Sequence, residues 1–454
     1  MESTMTVEVS TASDDGVNVA SSKPSSADMA FYYERLLPFR YVFQWLNHSP
    51  KPTKDFTMRE FAYEHRSGAY QRYNSFATLD EFKKSVVSAN PMRFEIGPVY
   101  SVNPKERKNL SKNAMRPLAK ELVFDIDLTD YDGIRTCCSG TKICEKCWKF
   151  IQVAAKIIDR SLKEDFGFKH LIWVFSGRRG AHCWISDARA RNLDELTRRS
   201  IVEYLDVLGS KQAKMGKQSL NLKRPFHPHI ERSFEILKTS FVEIVLNDQD
   251  PWNDDNEQID EMLAFLPDKD LQQELQKKWK NSSSNSKQKW EDIGIVAEKI
   301  IKNQARLNAV NEAKKDIIFY YLYPRLDVEV SRQLIHLLKS PFCIHPSTGN
   351  ICVPFDLDYN LSDNRDDDGY GFNPMHAPNL ITIQNELELY DSRNVDRASS
   401  QPSTDDENEA PTTKVLDFEK TSLKPYVNYF AKFVNDLVKD ELKSQKRDRD
   451  DLEF

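Results

Sequence analysis

Two aspartates two residues apart stand in Glu121-Leu-Val-Phe-Asp-Ile-Asp-Leu-Thr129, where Leu122, Phe124, Ile126 and Leu128 alternate with Val123, Asp125 and Asp127. The two-residue period of a strand puts both carboxylates on one face. Like charges held side by side cost free energy unless a cation sits between them, so Asp125 and Asp127 are candidate ligands for Mg²⁺ or Mn²⁺, which prefer oxygen donors. For the pair alone, an ordinary solvent-facing strand edge is the alternative. A third carboxylate, Asp327, stands in Pro324-Arg-Leu-Asp-Val-Glu-Val330, which reads as another short alternating segment before a helix that Ser331 could cap. Two-metal phosphoryl transfer needs several carboxylates converging on ions roughly 3.5–4 Å apart. Asp327 is the candidate to complete the set; a surface aspartate before a helix is the plainer reading.

Groups suited to an anion follow in Leu171 to Ile185, which reads as strand, glycine-bounded turn and strand, with Ser176, Arg178 and Arg179 at the turn. Glycine lets backbone amides approach a phosphate, and guanidinium groups match its oxygens in paired hydrogen bonds. His182 and Trp184 alternate onto one face. Lys339, read as ending a helix, and His345, opening the turn His-Pro-Ser-Thr-Gly349, are further candidates to reach an anion near Asp327. A basic hairpin tip, a core histidine, a lysine complementing a helix C-terminus and a turn histidine are the structural alternatives.

Cys137, Cys138, Cys144 and Cys147 crowd into one short segment, and the chain has seven cysteines in all. An odd count in a long chain argues against a disulfide framework, and thiolates at this spacing point to a tetrahedral Zn²⁺ site closed by four protein ligands, hence structural. The adjacency of Cys137 and Cys138 leaves open that one is a spectator.

The elements that must position these groups come from pattern. With 454 residues, 39% of them hydrophobic, the chain is long enough to bury one large core and a lesser one. Its formal net charge of −6 makes any basic surface a local one. No apolar run is long enough for a membrane span and no secretory signal opens the chain, so the reading is cytosolic or nuclear, without a membrane. Residues 1–27 and the linker 396–413 have the Ser/Pro/acid composition of disorder. From about 84 to 186 short strands dominate, with a helix over 147–163. Residues 191–320 are helical, with one stripe at Leu196, Ile201, Tyr204, Leu205 and Leu208 and another at Ile293, Val296, Ile300 and Ile301. The run 281–289 reads as a loop. Strand patterning returns at 325–330 and 351–355, so an α/β body, 28–190 with 321–395, carries an inserted helical block and a zinc module at about 135–150. A helix over 414–445 docks through Val427, Phe430, Val434 and Leu437, before a charged tail at 446–454.

Taken in order, ELVFDIDLTDYD, CC…IC.KCW, RSLKEDFGFKH, SGRRGAHCW, PRLDVEVS, HLLKSPFCIHPSTG and KTSLKPYV resemble the small, catalytic subunit of the archaeo-eukaryotic DNA primases in its eukaryotic form. The resemblance implies a mixed-sheet prim fold, metal ligands at Asp125, Asp127 and Asp327, and zinc on the four cysteines. It implies triphosphate contacts at Ser176, Arg178, Arg179, His182, Lys339 and His345. It also puts Glu60 and Arg72 near the site, Glu60 to assist metal or initiating-nucleotide binding, and offers Glu95 where the family has a sugar-contacting Asp. The activity implied is primer-free RNA synthesis from ribonucleoside triphosphates on a single-stranded DNA template, in the nucleus. The partners implied are a large iron–sulfur primase subunit and the DNA polymerase alpha complex. Three rivals remain: a primase-polymerase extending ends with deoxynucleotides, a zinc-bearing scaffold, and a two-metal nuclease.

Overall fold

The computed structural model describes residues 23–450 apart from 112–113, 210–219, 221, 254–255, 281–282, 362–370 and 401–414. Among the described residues, nine strands form two antiparallel sheets: β1 (Arg59–Glu64), β2 (Tyr70–Asn74), β3 (Arg93–Tyr100), β4 (Pro117–Ala119), β5 (Leu122–Asp127), β6 (Leu171–Phe175), β7 (Gly180–Ile185), β8 (Leu338–Lys339) and β9 (Pro354–Phe355). The first sheet runs β2-β1-β3-β4 with β8 also paired to β3, and the second runs β5-β7-β6-β9. This is the expected mixed α/β class.

The sheets are joined by a buried ion pair. Arg59 at the start of β1 meets Glu121, one residue before β5, through two hydrogen bonds of 2.7 and 3.0 Å. A paired guanidinium and carboxylate fix orientation as well as distance, so the start of β5 is held against β1 across the gap. Under the first sheet, Phe39, Phe56, Phe61, Phe76, Phe82 and Phe94 pack ring to ring. Across the second lies the helix Glu145–Glu164, which buries Trp148, Ile151, Ala155, Ile158 and Leu162 at helical spacing.

Between β7 and β8 the described residues form a series of helices from Glu195–Leu205 to Gln304–Leu322. The first stripe holds except at Leu196, which is 71% exposed because it sits in the first turn on the outer side. The loop read over 281–289 ends early: Asn285 caps a helix from Ser286 in a reciprocal box with Gln288, a signal present in Asn-x-x-Gln.

Other boundaries also move. Residues 84–89, read with the strands, close the helix Leu79–Ala89. The hairpin β1–β2, which the strand pattern does not announce, turns at Gly68, whose φ of +82° suits the residue without a Cβ. Residues 1–22 of the N-terminal tail lie outside the described residues, but Ser25 caps a helix that begins at Ser26, with Asp28 answering in the box. The helix Leu380–Ser400 runs into the segment read as linker, whose residues 401–413 lie outside the described residues. The last helix, Lys424–Asp450, buries Val427, Phe430, Val434 and Leu437 and continues into the residues read as a charged tail. Phe430 meets Trp45 at 5.7 Å and Phe342 at 5.3 Å, ring centre to ring centre. Among the described residues no helix is long and apolar enough to cross a membrane.

Candidate active site

β5 carries Leu122, Phe124 and Ile126 into the core and leaves Asp125 and Asp127 partly open on its other face, as alternation requires. The hairpin β6–β7 sets what lies beside them: Asp125 pairs in register with His182, and Asp127 with Gly180. A Cβ on Gly180 would stand 2.4 Å from the Ile126 carbonyl oxygen, so only glycine allows this approach. Gly177 has φ +87°, and a Cβ there would meet the His345 Cβ at 2.6 Å. The two glycines of Ser-Gly-Arg-Arg-Gly thus bring the turn against β5 on one side and the His345 turn on the other.

Asp327 reaches the dyad through the backbone. Its N–H donates to the Asp125 carbonyl at 3.1 Å, and Arg325 just before it is tied to the turn after β5 by its N–H to the Tyr131 hydroxyl, also 3.1 Å. Residues 325–330 are not a strand. Asp327 accepts from the Glu329 amide at 3.2 Å and caps a short helix, Val328–Arg332, so the cap is Asp327 rather than Ser331. Burial, then the charges of Asp127 and Asp327, push the Asp125 carboxyl up to about 7. Three anions that feel one another in this way fit a divalent cation held by oxygen donors. Their ligand oxygens do not converge within 4.8 Å, as the sulfurs described below do. Asp127 is already engaged: Arg179 Nε donates to it at 2.8 and 2.9 Å, and Thr129 to the same carboxylate at 2.7 and 2.8 Å.

Asp125 and Asp127 line a cleft of 290 Å³ with Ser176, Arg178, Arg179, His182, Lys339 and His345, together with Arg93 and Glu95; Asp327 is not among its lining residues. Lys339 does not end a helix; it is the last residue of β8 and pairs in register with Glu95 of β3. Its ammonium donates to the Ser176 carbonyl, while the Ser176 hydroxyl accepts from Gly180 N–H at 3.0 Å. Burial, then the positive charges of Lys339, Arg178, Arg93 and Arg179, hold His345 down to about 3. Burial and Lys339 do the same to His182, whose Nε2 is 3.5 Å from Asp125 and whose buried Nδ1 has no partner. Burial and these neighbouring cations favour the neutral form of both imidazoles.

Glu60 and Arg72 sit behind this cleft. Arg72 donates to Glu60 at 2.8 and 3.1 Å, and Tyr100 and the Tyr73 amide add bonds of 3.1 and 3.2 Å, so the buried Glu60 carboxylate is saturated. Glu95 accepts from Tyr70 and is 3.1 Å from Arg93. Arg93 is a lining group that sequence reasoning missed, and Tyr70 reaches the lining only through Glu95; the signal for Arg93 was its two-residue spacing from Glu95 on β3.

The Sγ atoms of Cys137, Cys138, Cys144 and Cys147 lie within 4.8 Å of one another, so the adjacent pair belongs to one cluster with the others. A hydrogen bond from the Cys137 thiol, with the Cys144 amide and Arg135, holds Cys147 down to about 5. The donor set is that of a closed tetrahedral zinc site. Gln249, from a π-helical stretch, buttresses it by accepting from the Thr136 amide at 2.8 Å.

A family model described as DNA primase small subunit matches residues 124–357. The chain is similar to the DNA primase small subunit of Saccharomyces cerevisiae, 47% identical over 96% of this chain and 97% of the relative. It is 46% identical to that of Schizosaccharomyces pombe, over 94% and 93%. To that of Drosophila melanogaster it is 35% identical, over 90% and 91%.

Proposed function

The chain belongs to the DNA primase small subunit family, and on that premise we propose that it starts RNA chains on single-stranded DNA, without a primer, from ribonucleoside triphosphates. As a primase it is an enzyme of DNA replication, a nucleotidyltransferase of a family that uses divalent metal. The observation that supports the finer reading is the bond from Asp327 N–H to the Asp125 carbonyl, 3.1 Å long, together with the charge of Asp327 felt by the Asp125 carboxyl.

In this reading Asp125, Asp127 and Asp327 hold two Mg²⁺ or Mn²⁺ ions, which when bound would activate the attacking hydroxyl and steady the leaving oxygen. Arg178, Arg179 and Lys339 neutralise the triphosphate. His182 and His345, kept neutral by their surroundings, each offer an N–H to phosphate oxygens. Glu95 contacts the ribose, and Glu60 acts through Arg72, which it holds in place. The ribose 3′-oxygen forms a bond to the α-phosphorus, the bond to the β-phosphate oxygen breaks, and pyrophosphate departs. The four cysteines hold a structural Zn²⁺ ion. A large iron–sulfur subunit and the DNA polymerase alpha complex are the proposed partners, and the nucleus the proposed compartment.

Primer-free synthesis on a homopolymer template tests this, with ribonucleotides and deoxynucleotides in separate arms. Ribonucleotide dinucleotides that vanish in Asp125→Ala are expected. Undiminished synthesis by that variant removes the metal assignment, and incorporation in the deoxynucleotide arm alone favours the primase-polymerase rival.

A further inference from the structure

Outside the cleft, the described residues hold a second cationic surface with an aromatic ring at its centre. Two guanidinium groups stand over the Tyr73 ring, Arg107 at 4.6 Å and Arg72 at 5.1 Å from its centroid. Lys105 stands 5.3 Å over Phe76. Lys105, Arg107 and Lys108 come from the exposed 3₁₀ turn Pro104–Asn109, and none has an anionic partner among the described residues. Glu106 is the single carboxylate on that turn. Arg72 is consumed by Glu60 and contributes its plane rather than a free charge.

The turn is fixed, not draped. Asn103 caps it by accepting from the Lys105 amide at 3.0 Å and from the Ser75 hydroxyl at 2.7 Å, which ties it to the end of β2. Tyr73 has φ +66°, costly for a bulky side chain, and is held there by its N–H bond to Glu60. Strain of this kind persists where the surroundings over-determine it and clusters at binding sites. Tyr70, three residues back on β2, hydrogen-bonds Glu95 in the lining of the metal cleft. The surface is therefore continuous with the cleft along one strand.

Free cations interleaved with ring faces are what a single strand needs: phosphates pair with the cations and bases stack on the rings whatever their sequence. From this we infer that Tyr73 with Lys105, Arg107 and Lys108 forms a track for single-stranded nucleic acid leaving the cleft over β2; under the proposed function, on which this rests, the strand is the DNA template.

Binding of a labelled oligodeoxythymidylate to the full chain, followed by anisotropy across a salt series, tests it. Replacing Lys105, Arg107 and Lys108 together by Ala is expected to flatten the slope of log affinity against log salt by about 2, since each single-strand phosphate left without its cation removes roughly 0.7 from that slope. Tyr73→Gly removes the ring yet suits the left-handed backbone; it is expected to keep the melting temperature and weaken binding about tenfold, the loss of one stacked base, while Tyr73→Phe binds as the parent does. Wild-type affinity and slope in the triple variant overturn the track. Tighter binding of an oligouridylate than of the DNA oligomer overturns its assignment to the template. Asp125→Ala serves as the separate control: it binds the oligomer normally if the track is right, whether or not the proposed synthesis is.

Discussion

Arg179 grips Asp127 through both carboxylate oxygens, at 2.8 and 2.9 Å, so one of the cleft's cations is spent on one of its three candidate metal ligands. An arginine so placed and a divalent ion compete for the same oxygens. Arg179→Ala is expected to tighten Mn²⁺ binding, by about tenfold if a charge-assisted bond near 1.5 kcal/mol is released, and at the same time to raise the KM for nucleotide. Titration of Mn²⁺ by electron paramagnetic resonance reads the first effect and steady-state kinetics the second. Weaker metal binding in the variant would show that Arg179 supports the metal site instead of guarding it.

Gly180 carries no chemistry yet fixes the distance between β7 and β5. A methyl group there would sit 2.4 Å from the Ile126 carbonyl oxygen and 3.3 Å from the Asp127 Cα. Gly180→Ala is expected to push the strands apart, costing about 1–3 kcal/mol of stability as overpacking does, and to lower synthesis further than that loss explains. Chemical denaturation and activity at a temperature where the variant is folded check the two parts. A variant with unchanged stability would mean that the strands separate without cost.

The chemistry was more legible in the sequence than the scaffold around it. Asp125 and Asp127 show on a six-residue strand with clean alternation, and the cysteines declare themselves by spacing. Phe430 and its partners at helical spacing announce a docked helix. Lys339 could not be placed, because a strand of two residues has no period; its position is set by a long-range pairing with Glu95. Asp327 is visible in the sequence as a residue but not as a cap, since Leu326, Val328 and Val330 alternate by chance over a helix of five residues, too short for its own period to appear. That Arg72 is locked on Glu60, instead of facing the cleft, follows from a hairpin whose closing signal, Ser-Gly at 67–68, is present but short.

Lys120 is fully buried beside Glu121, Arg59 and Arg198, and donates to the His336 carbonyl, which precedes the cleft residues of β8. Burial, then the charge of Arg198, drives its ammonium down to about 7. The folded chain thus holds this proton more weakly than the unfolded one, whose lysine titrates near its ordinary value of about 10.4. The penalty for burying the charge is present in full below pH 7 and is relieved as pH rises from there toward 10. Subtracting the stability of Lys120→Met from that of the wild type cancels other titrations. The difference should move in the wild type's favour across this window, with a limiting slope of about 1.4 kcal/mol per pH unit. Denaturant curves for both proteins at pH 6, 8 and 9.5 supply the test, and parallel dependence on pH would mean that the fold holds this proton as tightly as the unfolded chain does.

Cys138 is only partly shielded and directly follows Cys137, so its membership is the point on which a four-sulfur zinc site turns. Burial and the thiols of Cys144 and Cys147 raise it to about 11 without metal, a cost that coordination to Zn²⁺ removes because a bound thiol is deprotonated outright. If all four sulfurs are ligands, one zinc per chain is expected by elemental analysis, and Cys138→Ser should lose it to a mild chelator that leaves the wild type loaded. The melting temperature should fall with the zinc, since Arg135, Thr136 and Gln249 are organised around this loop. Binding of Mn²⁺ at the aspartates should survive in the variant, because β5 is held by Arg59 and by its register with β7 rather than by the cluster. Full zinc retention by Cys138→Ser against the chelator would reduce the site to three sulfurs and a ligand from elsewhere.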